Sequence, residues 1–555
     1  MLAGGADERH VPARIDARAG ACRNDPLVRT ILRAAAVVAA LGVTLPASAG
    51  AATLVVGTSS DPDSIDPAVA YAPESWQMLV NAGEGLVAYR PAAGLAGADI
   101  VPALAAAMPA VSPDGRRLVF TLRADARFGP PADRPVRPSD VKASIERLFL
   151  VGSPGRGLFR TIRGAARFEA ARTGGIAGII ANDGTGRLRI ALTRSDPGIL
   201  HALALPFAFA LPRETPAVEQ TAPIASAGPY RISAYTRGAL LELVRNSGYA
   251  PGATGSATPG PDRIQVRIGL STADAVRLAG EGRIDYVQAR ASSADAAAAG
   301  AGGSQARVHR HVEGAIYYFF MNTRRAPFDD ARVRRAVDIA IDRAALARAF
   351  GAQAVPTTQV LPPGVPGRLR VASAPAPDIA RARRLVAQAG ATGAAVDVWG
   401  WTGEPSPALT RGLERTLERI GLRPRSRLWE RSTMLAALAD PDAGSQIGFA
   451  RWRQDYPDAA DWYPLLLSGS AIRRGSNLNY ALLADAGVDR LIARAAATWD
   501  PRRRAIRWAA VGRAVEARVP WAPFANTVQV DITSQRVGGY VAHPLYGFLW
   551  MRARL

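Results

Sequence analysis

Residues Gly448–Pro464 read GFARWRQDYPDAADWYP. The stretch holds Phe449, Trp452, Tyr456, Trp462 and Tyr463, while aromatics make up only 7% of the chain, so this is a local concentration. It also holds Asp455, Asp458 and Asp461 in a chain of formal charge +21. An acid beside flat apolar rings suits a cationic group with an apolar neighbour, such as a peptide amino terminus. The structural reading is a strand end, a turn and a capped helix. Asp458 fits it, because D-A-A-D before an apolar run places an N-cap and a second acid in the first turn. Asp455 lies before that cap, on the turn, where no structural task is visible, and it is the candidate binding residue.

Outward from this stretch the chain alternates strand and helix patterns. Upstream, Ala395–Trp401 reads as a strand and Ala408–Ile420 as a helix, and Leu428–Trp429 begins the approach to Gly448. Such alternation indicates an α/β lobe. Downstream, Val488–Thr498 and Pro501–Val519 are amphipathic helical segments, and Pro520-Trp521-Ala522-Pro523 returns the chain to an extended form. Val333, Val337, Ile341 and Leu346 fall on one helical face, with Asp329 and Asp330 at its positive end. Ile316–Met321, IYYFFM, is an apolar run short enough for a buried strand. Near the start, Thr53–Val56 is β-branched, Ser75–Leu86 has helical spacing, and Leu118, Phe120 and Leu122 alternate. Ser139 is expected to cap a helix carrying Val141, Ile145, Leu148 and Phe149. Asn246–Pro261 and Val371–Pro377 are small-residue loops by composition, and Ala289–Gly303 fits a helix or a flexible stretch.

Residues 1–49 do not read as folded protein. Arg23, Arg29 and Arg33 precede the apolar run Ala34–Leu45, and Ala47-Ser48-Ala49 is a small-x-small cleavage pattern. That is a secretory signal, with a run too short for the ~20 residues of a spanning helix. Cleavage is expected near Ala49, leaving a soluble, exported chain. Cys22, the single cysteine, precedes the apolar run. It would leave with that run, so no lipid anchor, disulfide or thiolate catalysis is expected. The remaining length suffices for two or three domains with a large core. Lys142 is the one lysine, and the arginines are spread rather than clustered. Coding bias in a GC-rich genome explains this basic balance better than nucleic-acid binding does.

A series of motifs then becomes specific by its order. Asp61–Pro67, DPDSIDP, is followed by Glu84–Tyr89, EGLVAY, and Val101–Ala105, VPALA. Next come Leu118–Phe128 and Ser139–Arg147, with Asp140 inside the latter. Gly228–Ile232, Arg245–Tyr249, Glu281–Asp285, Phe320–Thr323, Pro327–Asp330 and Val333–Arg343 continue the series. In this order they resemble the extracytoplasmic solute-binding proteins of family 5, the peptide- and nickel-type substrate-binding proteins of ABC importers. The resemblance implies a two-lobed α/β periplasmic-binding fold of the large peptide-binding class, with an inserted subdomain. The implied organisation is a signal peptide over 1–49, a first lobe from 50–95 and 223–313, and its inserted subdomain over 96–222. A second lobe over 314–522 and a closing segment of the first lobe over 523–555 complete it, with crossings near 310–316 and 520–526. It further implies a monomer that captures a peptide or similar small solute, without catalysis or cofactor, and passes it to an inner-membrane permease. Trp452-Arg453-Gln454-Asp455-Tyr456 resembles the family's W-x-x-D-Y-like segment. That assigns Asp455 to the ligand's ammonium and Trp452 to the wall of a side-chain pocket, with Tyr456 beside them.

Other classes leave weaker traces. His309 and His311 would share a face of an extended strand, and some relatives bind nickel complexes, yet five histidines and one cysteine in the whole chain make a full ligand set hard to assemble. A secreted hydrolase would need a catalytic pair, and neither G-x-S-x-G nor H-E-x-x-H occurs.

Overall fold

The computed structural model describes residues 52–252, 260–289, 291–370 and 374–555. Residues 1–49, expected from the sequence to be a secretory signal and including Cys22, lie outside the described residues, as do parts of the loops 246–261 and 371–377.

Two long antiparallel strands, Ala306–Met321 and Trp521–Ser534, organise the chain. Their pairing runs from Ala306 opposite Ser534 to Phe320 opposite Trp521, and it shifts register between Val312 and Ile316. Extra residues at such a shift bend a strand and increase its twist. The two halves of the strand pair therefore serve different neighbours. On one side Ile447–Arg453 pairs with Ala315–Met321, and the parallel strands Ala395–Trp401 and Arg423–Trp429 follow. On the other side Tyr286–Gln288 pairs with Trp521–Ser534 at Thr533 and Ile532, and Thr53–Thr58, Arg263–Ile268, Leu240–Arg245 and Tyr230–Thr236 follow. A separate four-stranded sheet comes from Ala110–Val111, Arg117–Thr121, Ile179–Asn182 and Arg187–Ala191. The result is a mixed α/β fold of two lobes, with one long pair of strands running through the large sheet.

Burial explains why these segments extend. From Ile316 to Met321 the long strand is apolar and mostly aromatic, and this buried end meets other rings on both faces. Tyr318 stacks on Trp521 at 3.7 Å, and Phe319 stacks on Phe524 at 4.8 Å. Side chains alternate across a strand, so the two rings belong to different cores. Tyr318 packs with Trp462, Tyr463 and Trp508, and Phe319 with Val333, Val337 and Leu413.

Two expected elements differ. The face Val333–Leu346 is not one helix but two, Ala331–Ala340 and Arg343–Arg348. Ile341 is extended, and the Asp342 carboxylate accepts from Ala345 N at 2.8 Å, so this acid starts a new helix instead of continuing the old one. Ser139 is not the cap of its helix, which begins at Pro138 and runs to Leu150. Proline suits the first helical position. Asp140 instead reaches back to Arg137 N at 2.8 Å and takes a bidentate grip from Arg134.

Candidate functional site

The site is built where the strand Ile447–Arg453 ends. Alternation turns Arg451 and Arg453 toward buried Glu313, at 3.7 and 3.6 Å, and sends Trp452 to the opposite face. Gln454 N donates to Gly314 O at 2.8 Å, so the turn leaves the sheet where the long strand shifts register. Asp461 then staples the turn: its Oδ2 accepts from Asp455 N at 2.9 Å and from Trp452 Nε1 at 3.3 Å. Asp458 caps the short helical turn Ala459–Asp461, accepting from Ala460 N at 2.8 Å. It is also bound by Arg504 through two bonds of 2.7 and 3.0 Å, and His201 Nε2 lies 3.6 Å away. Tyr456 is buried, with its ring stacked on His201 at 5.2 Å.

Asp455 is half-buried, and its carboxylate is met from far away in sequence. Tyr71 Oη donates to Asp455 Oδ1 at 2.7 Å. Tyr71 immediately precedes the helix Pro73–Ala82, and its ring leans on Phe207 and on the edge of Trp76. Burial pushes the Asp455 carboxyl up from its ordinary value, against the Tyr71 bond and the Arg453 charge, which pull it down. Asp461 is fully enclosed. Burial first, and then the charge of Asp455, push its carboxyl far up. Two coupled carboxyls in one turn do not both ionise readily, and the stronger upward push falls on the fully enclosed Asp461. Asp455 is the more accessible member of the two.

A cleft open to solvent begins at Arg453, next to this turn. Glu74 and Gln77 from the helix after Tyr71, His311 and Glu313 from the long strand, Arg453, and Asp531 line it. The lining is polar and carries charged groups of both signs. Segments from both sides of the register shift therefore converge here. Trp452 and Asp455 stand together at the turn, linked through Asp461, whereas Tyr456 packs into the core with His201. The sequence reading missed Tyr71 and gave Asp461 only a helix-turn role. No local pattern marks Tyr71, because its partner is 384 positions away.

His309 and His311 do lie in one strand, but they are engaged elsewhere. His309 stacks on Tyr540 at 3.8 Å and its Nε2 lies 2.9 Å from Thr533 Oγ1, while His311 Nδ1 is 3.7 Å from Asp531. Among the described residues no group of three potential metal ligands gathers. No described helix is long and apolar enough to cross a membrane.

Two-lobed α/β geometry, with an acid and aromatic rings at the junction, defines a class that closes over small solutes. The family model of bacterial extracellular solute-binding proteins, family 5 (middle), matches residues 99–473, and the chain belongs to that family. It is similar to a probable di/tripeptide-binding protein 5 of Pseudomonas aeruginosa (strain UCBPP-PA14), at 26% identity over 517 residues, covering 89% of this chain and 94% of that one. Its fold is similar to that of the clavulanic acid biosynthesis oligopeptide binding protein 2, with a TM-score of 0.78 and 24% identity over 91% of this chain and 95% of the other. It is also similar to a periplasmic murein tripeptide binding protein in its unliganded open form, with a TM-score of 0.76 and 19% identity over 91% and 98% of the two chains.

Proposed function

We propose that this solute-binding protein captures a short peptide, or a similar solute with a free amino group, between its two lobes and delivers it to an ABC permease. The observation that carries the reading is the half-buried Asp455 carboxylate beside Trp452 at the junction of the lobes, already engaged by a hydrogen-bond donor. The ligand's ammonium takes Asp455, and Trp452 walls the adjacent side-chain pocket. Tyr456 supports the turn from the core side. Main-chain groups on the strand edges supply the remaining bonds, which gives affinity with little reading of sequence. The di/tripeptide-binding relative supports this ligand class.

The reading also includes the organisation expected from the sequence: a signal peptide over 1–49, a first lobe from 50–95, 223–313 and 523–555 with its insert at 96–222, and a second lobe over 314–522. The register shift at Val312–Ile316 falls inside the proposed crossing. The protein acts in the periplasm as a monomer, binds without turnover and needs no cofactor. Closure of the lobes on the ligand is the hinge motion that two-lobed receptors use.

A charge-assisted hydrogen bond contributes about 1.5–3 kcal/mol. Asp455→Asn is therefore expected to weaken binding of amino-terminated peptides about tenfold or more, measured by titration calorimetry on the purified protein. Unchanged affinity in that variant would refute the assignment.

A further inference from the structure

Tyr71 is the residue at the site that neither the motif series nor the binding role of Asp455 explains. Its hydroxyl is bonded to Asp455 Oδ1 at 2.7 Å, on the carboxylate that the proposed ammonium needs. Its backbone is pinned: Asp63 Oδ2 accepts from Tyr71 N at 2.8 Å and from Ala72 N at 2.9 Å. Asp63 is in turn fixed by Ser75, whose Oγ donates to its Oδ1. The ring, by contrast, is 47% exposed and rests on Phe207 and Trp76. Rotation of this side chain toward solvent requires no movement of the pinned backbone.

We propose that Tyr71 is an internal competitor for the ligand, a hydroxyl that occupies the Asp455 carboxylate in the empty protein and is displaced by the arriving ammonium. This rests on the reading in which Asp455 binds the ligand's amino group. The phenol keeps a half-buried carboxylate from being left without a donor, which is costly for a buried charge. An ammonium wins the exchange because it brings a full opposite charge as well as a hydrogen bond. The exchange subtracts the strength of the Tyr71 bond from the gross binding energy, so it sets a weaker affinity than the pocket could otherwise reach. That suits a receptor that must surrender its cargo. Tyr71 is then a residue that tunes affinity, and the segment Asp63–Ser75 is the frame that aims it.

The test is a double-mutant cycle with Tyr71→Phe and Asp455→Asn. Phenylalanine keeps the ring against Phe207 and Trp76 and removes only the hydroxyl, and an unchanged thermal unfolding midpoint verifies the fold. The probe is a mixture of alanine-led dipeptides with free amino termini, screened by native mass spectrometry, with calorimetry on the tightest member. Tyr71→Phe is expected to bind it about tenfold more tightly than the unaltered protein, the equivalent of one released hydrogen bond to a charged group. In the Asp455→Asn background the same change is expected to give no gain, because the competition acts through that carboxylate. Unchanged or weaker binding by Tyr71→Phe, with Asp455→Asn still weakened, overturns the competitor role alone. Tightening by Tyr71→Phe that persists in the Asp455→Asn background also overturns it. Binding unaffected by Asp455→Asn, or no retention of any dipeptide by the unaltered protein, overturns the ammonium reading and this inference together.

Discussion

Asp458 and Asp455 stand in one turn and behave in opposite ways. Burial works against the charge of Asp458, but the contact with His201 and the two bonds from Arg504 outweigh it and hold the carboxyl well below the ordinary range. Its folded pKa is lower than the 3.8 of a free aspartate, so its stabilisation is complete above that pH and is lost as the pH falls below it. Asp458→Asn leaves Arg504 buried without an anionic partner, and it is expected to lower stability by about 3–5 kcal/mol in urea unfolding at neutral pH. A loss below about 1 kcal/mol, the worth of a helix cap alone, would mean that the ion pair contributes nothing. The sequence made Asp458 legible as a cap, and it is one. The ion pair was not legible, because Arg504 sits in an amphipathic, arginine-rich helix, Pro501–Arg518, where a basic side chain reads as solvent-facing. Asp455 was singled out for the right kind of reason, the lack of a local partner, yet its partner Tyr71 is a long-range contact that no spacing encodes.

At the scale of elements, the packing of the strand that presents the site is the sensitive point. Gly448 lies in Ile447–Arg453 between Phe320 and the parallel strand Ala395–Trp401. A Cβ there would come within 2.7 Å of the Phe320 ring and 2.8 Å of the Trp399 carbonyl oxygen. Gly448→Ala is therefore expected to destabilise by about 1–3 kcal/mol and to displace the strand that carries Trp452 and Asp455. Thermal unfolding checks the first effect and dipeptide affinity the second; a neutral result in both would show that the two strands have room to separate. Strand Ala395–Trp401 has the bounds its alternation predicts, and the helices Ser406–Arg419, Ala486–Ala496 and Pro501–Arg518 agree with expectation to within about two residues. Only the apolar end of Ala306–Met321 was legible as strand. Its first half, ARVHRHVEG, is charged and half-buried, and its extension is dictated by the partner strand Trp521–Ser534 and not by its own composition. The break at Ile341 was hidden for the opposite reason: the apolar spacing continues across it, while the Asp342 side chain interrupts the backbone.

For the whole molecule, the sheet is continuous but its two ends serve different bodies, joined by one strand pair that shifts register in the middle. The register shift bends and twists this pair of strands. The acid pair and Tyr71 lie near that bend, joined by the bond from Tyr71 to Asp455. The order of motifs along the chain was enough to read this architecture, because the family's fold is carried by many weak signals in sequence. The ligand was not legible, since the cavity is assembled from Glu74, His311, Glu313, Arg453 and Asp531, residues scattered over most of the chain. The proposed site requires a cargo held by its free amino group on Asp455. Mass spectrometry of the solute that remains bound when the protein is purified from its native host tests it most directly. The account predicts short peptides or related solutes with unblocked amino groups, present on the unaltered protein and depleted on Asp455→Asn. A bound solute with no amino group, carried equally by both, would contradict it.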